Sequence, residues 1–262
     1  MKYFDSHAHY YDARFDEECK EGVGNLLDAL LASSVKAIVN VGTAPATCRL
    51  AIEQSRRYPS MYTALGIHPT DGQYLKVSAE EALSEIETMI AAKDSKCVAI
   101  GEIGLDYHYP DTDREKQLLL FDRQMAMAKR LQMPVVIHDR DAHADVFEMI
   151  CRYPEVRGIL HSYSGSPEMA LALIRRGYYI SFSGTLTFTN ARRVAECARV
   201  LPKDRVLIET DAPYLAPHPL RGSMNHSGNL QYTNERLAEI WGVSCEECAV
   251  ITAQNAERIF GL

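Results

Sequence analysis

The segment PVVIHDRDAHADVFEMICRYPEVRGILH, running from Pro134 to His161, decides the fold. It opens on an apolar run of strand length that ends at His138, continues through a helical stretch, Ala142–Arg152, and returns to a second run, Gly158-Ile-Leu, that ends at His161. Strand, helix, strand with short connections describes a parallel unit, whose crossover is right-handed and whose strands must be covered on both faces. Both apolar runs stop at a histidine, which places an imidazole at the carboxyl end of each strand.

The same pattern extends in both directions. Upstream strands are expected at Tyr3–Phe4, Lys36–Val41, Met61–Gly66 and Cys97–Glu102, and downstream strands at Tyr178–Ser183 and Val206–Glu209. The helical stretches between and after them are Glu17–Ser33, Ala46–Tyr58, Ser78–Lys93, Asp113–Leu131, Pro167–Arg176, Ala191–Val200 and a tract from Thr233 onward. Ser78-x-x-Glu81 and Thr112-x-x-Glu115 have the spacing of capping boxes, Ser166-Pro167 that of an N-cap with proline at N1, and Gly177 that of a glycine past a helix end. Eight strand–helix units in 262 residues predict an α/β fold, a single (β/α)₈ TIM barrel forming one domain over residues 1–262. A three-layer open sheet is the competing arrangement.

Composition narrows the function. A formal net charge of −7 argues against a broad basic face for long duplex nucleic acid, while leaving room for a short anionic substrate held by metal ions. Seven cysteines, with no secretory signal in view, suggest reduced thiols and a cytoplasmic protein. The pair Cys245 and Cys248 is half a zinc site with no second half, and reads as ordinary helix cysteines. No run approaches the ~18 apolar residues of a membrane helix, so no membrane partner is expected.

The chemistry concentrates at strand ends, where barrels of this kind carry their active sites. Strand one ends in Asp5-Ser-His7-Ala-His9, and alternation puts His7 and His9 on one side. Strand four ends in Gly-Glu102 after an apolar run, where an unpartnered carboxylate would be costly. Strands five and six end at His138 and His161, and strand eight leads into Glu209-Thr-Asp211. Any one of these side chains is explained by structural hydrogen bonding; their convergence on one mouth is not. Imidazoles with carboxylates suit zinc, manganese, cobalt or iron better than calcium. Two ions sharing a carboxylate can activate water for hydrolysis. No Gly-x-Ser-x-Gly, P-loop or dinucleotide fingerprint competes with this reading.

Six segments in order resemble the TatD family of metal-dependent deoxyribonucleases within the amidohydrolase-like superfamily: FDSHAH ending at His9, ALGIHP ending at Pro69, GEIGLDY ending at Tyr107, PVVIHDRDA ending at Ala142, LHSYSG ending at Gly165 and IETDAPYLAP ending at Pro217. The resemblance implies two divalent metal ions per chain, with Zn, Mn or Mg as candidates. It implies one ion on His7, His9, Glu102 and Asp211 and a second on Glu102, His138 and His161, with Glu102 bridging. Asp211 would also take a proton from the attacking water. His68, Arg140 and Arg221 are the candidate substrate contacts. Arg140 has Asp139 and Asp141 as alternative partners, and Arg221 has its own loop.

The implied activity is a 3′–5′ exonuclease acting on single-stranded or frayed DNA. The alternatives are amide or ester hydrolysis (deacylase, deaminase or lactonase) on the same metal platform, and a scaffold that has lost turnover. The chain departs from the family at Ser162-Tyr163, where Cys-Phe is frequent, and in the loop Ser223–Gly228, which is expected to border the substrate. His218 and His226 are expected as exposed loop residues, and Tyr107, Tyr163 and Tyr214 either stack on bases or pack locally. A monomer without an obligate protein partner is expected.

Overall fold

Parallel pairing in strict sequence order governs the architecture. The computed structural model describes all residues, Met1–Leu262. Its strands are β1 (Tyr3–Ala8), β2 (Val35–Val41), β3 (Met61–Leu65), β4 (Cys97–Asp106), β5 (Val135–Arg140), β6 (Gly158–Leu160), β7 (Tyr179–Phe182) and β8 (Val206–Ile208). They form one parallel sheet in the order β1 to β8. A parallel bridge between Ala8 and Ala212 brings the two edges together, excluding the open three-layer sheet. The closing bonds are His9 N–H to the Ala212 carbonyl, 2.7 Å, and Asp211 N–H to the His7 carbonyl, 2.9 Å. Closure of the barrel therefore sets the relative positions of His7, His9 and Asp211 through the backbone.

The helices are α1 (Ala13–Glu18), α2 (Val23–Ala32), α3 (Pro45–Arg57), α4 (Pro69–Gln73), α5 (Ala79–Ala91), α6 (Arg114–Leu131), α7 (His143–Arg152), α8 (Pro167–Arg175), α9 (Arg192–Val200), α10 (Leu230–Trp241) and α11 (Cys245–Phe260). Several helix boundaries differ from the expectation, which had no counterpart of α4. The first helical stretch is divided because Gly22 takes φ +78°, outside helical geometry, and α2 starts afresh after it. The N-cap of α6 is Asp113, whose carboxylate accepts from Lys116 N–H, one residue later than the Thr112 spacing suggests. The C-terminal tract is two helices, separated by Gly242 in the left-handed region. Ser78, Ser166 and Ser244 cap their helices through side-chain oxygens.

Two apolar layers hold the barrel. Outward strand residues such as Ile137, Ile180 and Phe182 pack with the surrounding helices in the largest core. A second core contains Phe4, Val39, Val136, Ile159, Tyr179 and Leu207 with Ala253, Ala256 and Phe260 of α11. Phe4 and Phe260 stack with ring centroids 6.0 Å apart. Each fully buried aliphatic side chain in these layers contributes about 1.5–3 kcal/mol relative to exposure. No helix is long and apolar enough to cross a membrane.

Candidate metal centre

Strand β4 runs past the expected end at Glu102 to Asp106. Gly104 permits this, since a Cβ there would lie 2.0 Å from the His138 carbonyl oxygen, so the two strands approach too closely for any side chain. The extension carries Asp106 to the mouth, in period two with Glu102.

The expected ligands meet around Glu102. On one side lie His7 Nε2, His9 Nε2 and Asp211 Oδ1. His7 Nε2 is 3.1 Å from His9 Nε2, 3.2 Å from Glu102 Oε2 and 3.6 Å from Asp211 Oδ1. His9 Nε2 is 3.3 Å from Asp211 Oδ1 and 3.7 Å from Glu102 Oε2. On the other side, Glu102 Oε1 lies 2.9 Å from His138 Nδ1 and 2.8 Å from His161 Nε2, which are 3.2 Å apart. The two oxygens of one carboxylate thus face two donor sets, which adjoin where His7 meets His161, and His68 Nε2 stands 3.6 Å from Oε1 beside the second set. The edge of a tetrahedron of ligands about 2.1 Å from a zinc-like ion is about 3.4 Å, which matches the first set. The donor chemistry fits a divalent cation: two imidazole nitrogens 3.1 Å apart can share only one proton, whereas a cation satisfies both lone pairs.

Most of these candidate ligand rings are fixed from behind, as metal-bound histidines usually are. The Nδ1 of His9 is 2.7 Å from the Val41 carbonyl and 3.1 Å from Tyr11 Oη. The Nε2 of His138 is 3.0 Å from Asp106 Oδ2, and Nδ1 of His161 is 3.2 Å from Glu209 Oε1. Glu209 also accepts from Ser162 N–H at 2.8 Å. His7 is the exception, since its Nδ1 is buried without a hydrogen-bond partner; its ring stacks on His161 at 4.1 Å.

The site's electrostatics follow from this crowding. Burial favours a neutral Glu102, but the imidazole of His161, itself held well above its ordinary range, and the hydrogen bond from His138 outweigh it and hold the carboxyl well below its ordinary range. Burial likewise opposes ionisation of Asp211, and the hydrogen bond from His9 overcomes it. Burial together with the neighbouring His161 pushes His7 down. His68 is pushed down to about 3, mainly by burial, so its ring is neutral at ordinary pH.

Two adjoining lobes open onto the cluster. One, of about 380 Å³, lies over β1–β3 and contains Tyr11, Asp12, Thr43, His68, Asp71 and Tyr214 besides the ligands. The other, of about 350 Å³, lies over β5–β7 and contains Asp139, Arg140, Ser162, Ser164, Thr185 and Leu215. His138, His161 and Asp211 border both.

The remaining candidates divide. Arg140 lines the second lobe; Asp139 and Asp141 are engaged by His143 and His108, so neither pairs with it, and its guanidinium lies over Tyr109. Arg221 lines neither lobe and sits 4.3 Å from the ring centroid of Phe188. The loop Ser223–Gly228 lines neither lobe either. Asn225 is buried and donates to the carbonyls of Thr210 and Tyr214, and Ser227 Oγ donates to Asp5 Oδ2, which pins this loop behind the mouth. His226 is partly buried rather than exposed, accepting from Gly228 N–H to cap a short turn, while His218 is exposed. Tyr107 and Tyr163 pack locally through bonds to Asp145 and the Ser166 carbonyl, and only Tyr214 reaches the cavity.

Sequence reasoning gave no role to Asp106 or Tyr11, although both continue a period-two series, Glu102-x-Gly104-x-Asp106 and His7-x-His9-x-Tyr11. It noted Glu209 by the same period without finding its partner. Cys245 and Cys248 lie in α11 with free thiols, and no candidate metal cluster includes them.

Comparison with known proteins supplies a further set of findings. A sequence model of the family described as TatD related DNase matches residues 4–261. The uncharacterized metal-dependent hydrolase YabD of Bacillus subtilis is 38% identical over 259 residues, covering 98% of each chain. The uncharacterized metal-dependent hydrolase YcfH of Escherichia coli K12 is 33% identical over 259 residues, covering 98% of this chain and 94% of its own. Among solved structures, the TatD homologue YjjV of Escherichia coli superposes with a TM-score of 0.89 at 27% identity, covering 99% of this chain and 98% of its own.

Proposed function

Since this chain belongs to the TatD-related family of metal-dependent hydrolases, we propose that it hydrolyses phosphodiester bonds in DNA, removing residues from the 3′ end of single-stranded or frayed strands. The observation that carries the reading is the division of Glu102, with Oε2 facing His7 and His9 and Oε1 facing His138 and His161. One ion would be held by His7, His9, Glu102 and Asp211, and a second by Glu102, His138 and His161. Divalent ions so placed would acidify a water and neutralise charge on a phosphoryl group.

The chain's own residues do the rest. Asp211 stands at the junction of the two lobes, ionised through its contact with His9, and accepts the proton of the attacking water. His68 acts as a donor. Its Nδ1 accepts from Thr70 N–H at 3.2 Å, which fixes the neutral ring with its proton on Nε2, the nitrogen 3.6 Å from Glu102 Oε1. A nitrogen that carries a proton cannot ligate a cation, so Nε2 is assigned to a substrate or leaving-group oxygen. Asp106 and Glu209 orient His138 and His161, and Tyr214 offers a partly exposed ring beside His9, 6.4 Å between centroids.

The test is hydrolysis of end-labelled single-stranded DNA by metal-stripped protein with Mg²⁺, Mn²⁺ or Zn²⁺ restored. Shortening from the 3′ end is expected, falling about 10²–10⁴-fold in Asp211→Asn, in the range for loss of a general base. Absence of cleavage with every ion, in protein that binds metal, would overturn the phosphodiesterase reading and favour an ester or amide substrate.

A further inference from the structure

The two lobes differ in charge. In the lobe over β1–β3, Glu102 and Asp211 belong to the ligand clusters, and the two further ionisable acids are Asp12 and Asp71; no lysine or arginine lines it. Asp12 accepts from Arg14 N–H and from Tyr214 Oη, neither of which is a cationic group. The guanidinium of Arg14, beside Tyr214, is directed to Glu18 and the Pro213 carbonyl. Asp71 lies in the first turn of the short helix α4 and is partly buried.

The lobe over β5–β7 differs in holding a cation, Arg140, and in that its one carboxylate besides Asp211, that of Asp139, is paired with His143 at 2.8 Å. Arg140 lines it, with its guanidinium over Tyr109 and in no salt bridge to a carboxylate, and Ser162, Ser164 and Thr185 line the same wall. Ser162 Oγ, Ser183 Oγ and Thr185 Oγ1 form a chain of contacts at 2.8 and 3.0 Å. A guanidinium and several hydroxyls are phosphate-binding groups, whereas a pair of carboxylates repels phosphate and accepts bonds from hydroxyl or amino groups.

We propose that the lobes sort the substrate by charge: the lobe of Asp12 and Asp71 receives the terminal residue with its free hydroxyl, and the lobe of Arg140 receives the phosphate-bearing remainder of the strand. This deepens the phosphodiesterase reading and rests on it. It makes the terminal group a specificity determinant, because a phosphate on the last residue would be forced against Asp12 and Asp71.

The experiment compares short single strands that differ only in ending in a 3′-hydroxyl or a 3′-phosphate. Binding is measured by fluorescence anisotropy of 5′-labelled strands with Asp211→Asn protein, and cleavage with the wild type. The 3′-phosphate strand is expected to bind and react at least about tenfold less well, as like-charge juxtaposition dictates. Asp71→Asn should narrow that ratio, and a melting curve checks that the variant is folded. Arg140→Ala should raise KM for strands of several phosphates far more than for a dinucleotide with one, and flatten the salt dependence. Equal binding of the two ends, or a ratio untouched by both Asp71→Asn and Asp12→Asn, would overturn the assignment of the lobes. Discrimination in binding without cleavage by wild type would leave the assignment standing and overturn the phosphodiesterase reading; binding of neither strand would overturn both.

Discussion

Val136 and His138 on β5, and Ile159 and His161 and Leu207 and Glu209 at the ends of β6 and β8, are pairs two residues apart, about 6.6 Å along extended chain. The first member of each pair packs in the inner apolar layer closed by α11, and the second lies in the ligand cluster or directly behind it. The lower layer is held by non-directional packing and is closed to solvent by Phe260. The upper layer is an assembly of imidazoles and carboxylates whose positions are set from behind by Asp106, Glu209 and the Val41 carbonyl. One step of the pleat separates a region that carries stability from one that carries chemistry. The lower layer supplies the rigid floor on which the upper layer's directional bonds are arranged.

That division can be broken by substitution. The largest effect is expected for Glu102→Ala, which removes a donor from both clusters: hydrolysis should fall to background and bound metal, by elemental analysis, should drop sharply. Retained wild-type activity would refute the shared carboxylate. Leu207→Ala, in the lower layer, should cost about 2–5 kcal/mol in denaturant unfolding while folded protein keeps its metal. If it lost metal as Glu102→Ala does, the two layers would not be separable.

Asp5 lies at the boundary between them and sharpens the comparison. It is fully buried, accepting from Thr210 N–H and Oγ1, Ser227 Oγ and His7 N–H. Burial outweighs these bonds and raises its carboxyl to about 6. A raised carboxyl contributes stability that is present below the usual carboxylate range and is lost as pH climbs through about 6. Between about pH 4 and pH 7 wild type should therefore lose up to about 3 kcal/mol relative to Asp5→Asn. Parallel stability curves for the two proteins would show that Asp5 is not buried at the expense of its charge. The smallest effect is expected for Asp106→Asn, which loosens His138 without removing a ligand: about 10–100-fold in metal affinity or rate, with unfolding little changed. A loss as large as that of Glu102→Ala would make Asp106 a ligand in its own right.

The sequence alone determined the eight-fold alternation, because strand-length apolar runs and helix caps are local signals. It also singled out the candidate ligands, since a run that stops at a histidine or carboxylate marks a strand's carboxyl end whatever the neighbouring strands do. Barrel closure was different. That His7 and His9 meet Asp211 depends on the bonds between β1 and the segment after β8, whose residues are some two hundred positions apart in the chain.

Tertiary structure alone decided which oxygen of Glu102 faces which histidines, and that Asp106 reaches His138 because Gly104 lets β4 run close to β5. It also separated Arg140 from Arg221. Arg140 ends β5 and lines the cavity, whereas Arg221 stands in the long loop after β8 and stacks on Phe188. Loops are placed by contacts distant in sequence, such as those of Asn225 and Ser227, and neither period nor composition encodes such contacts.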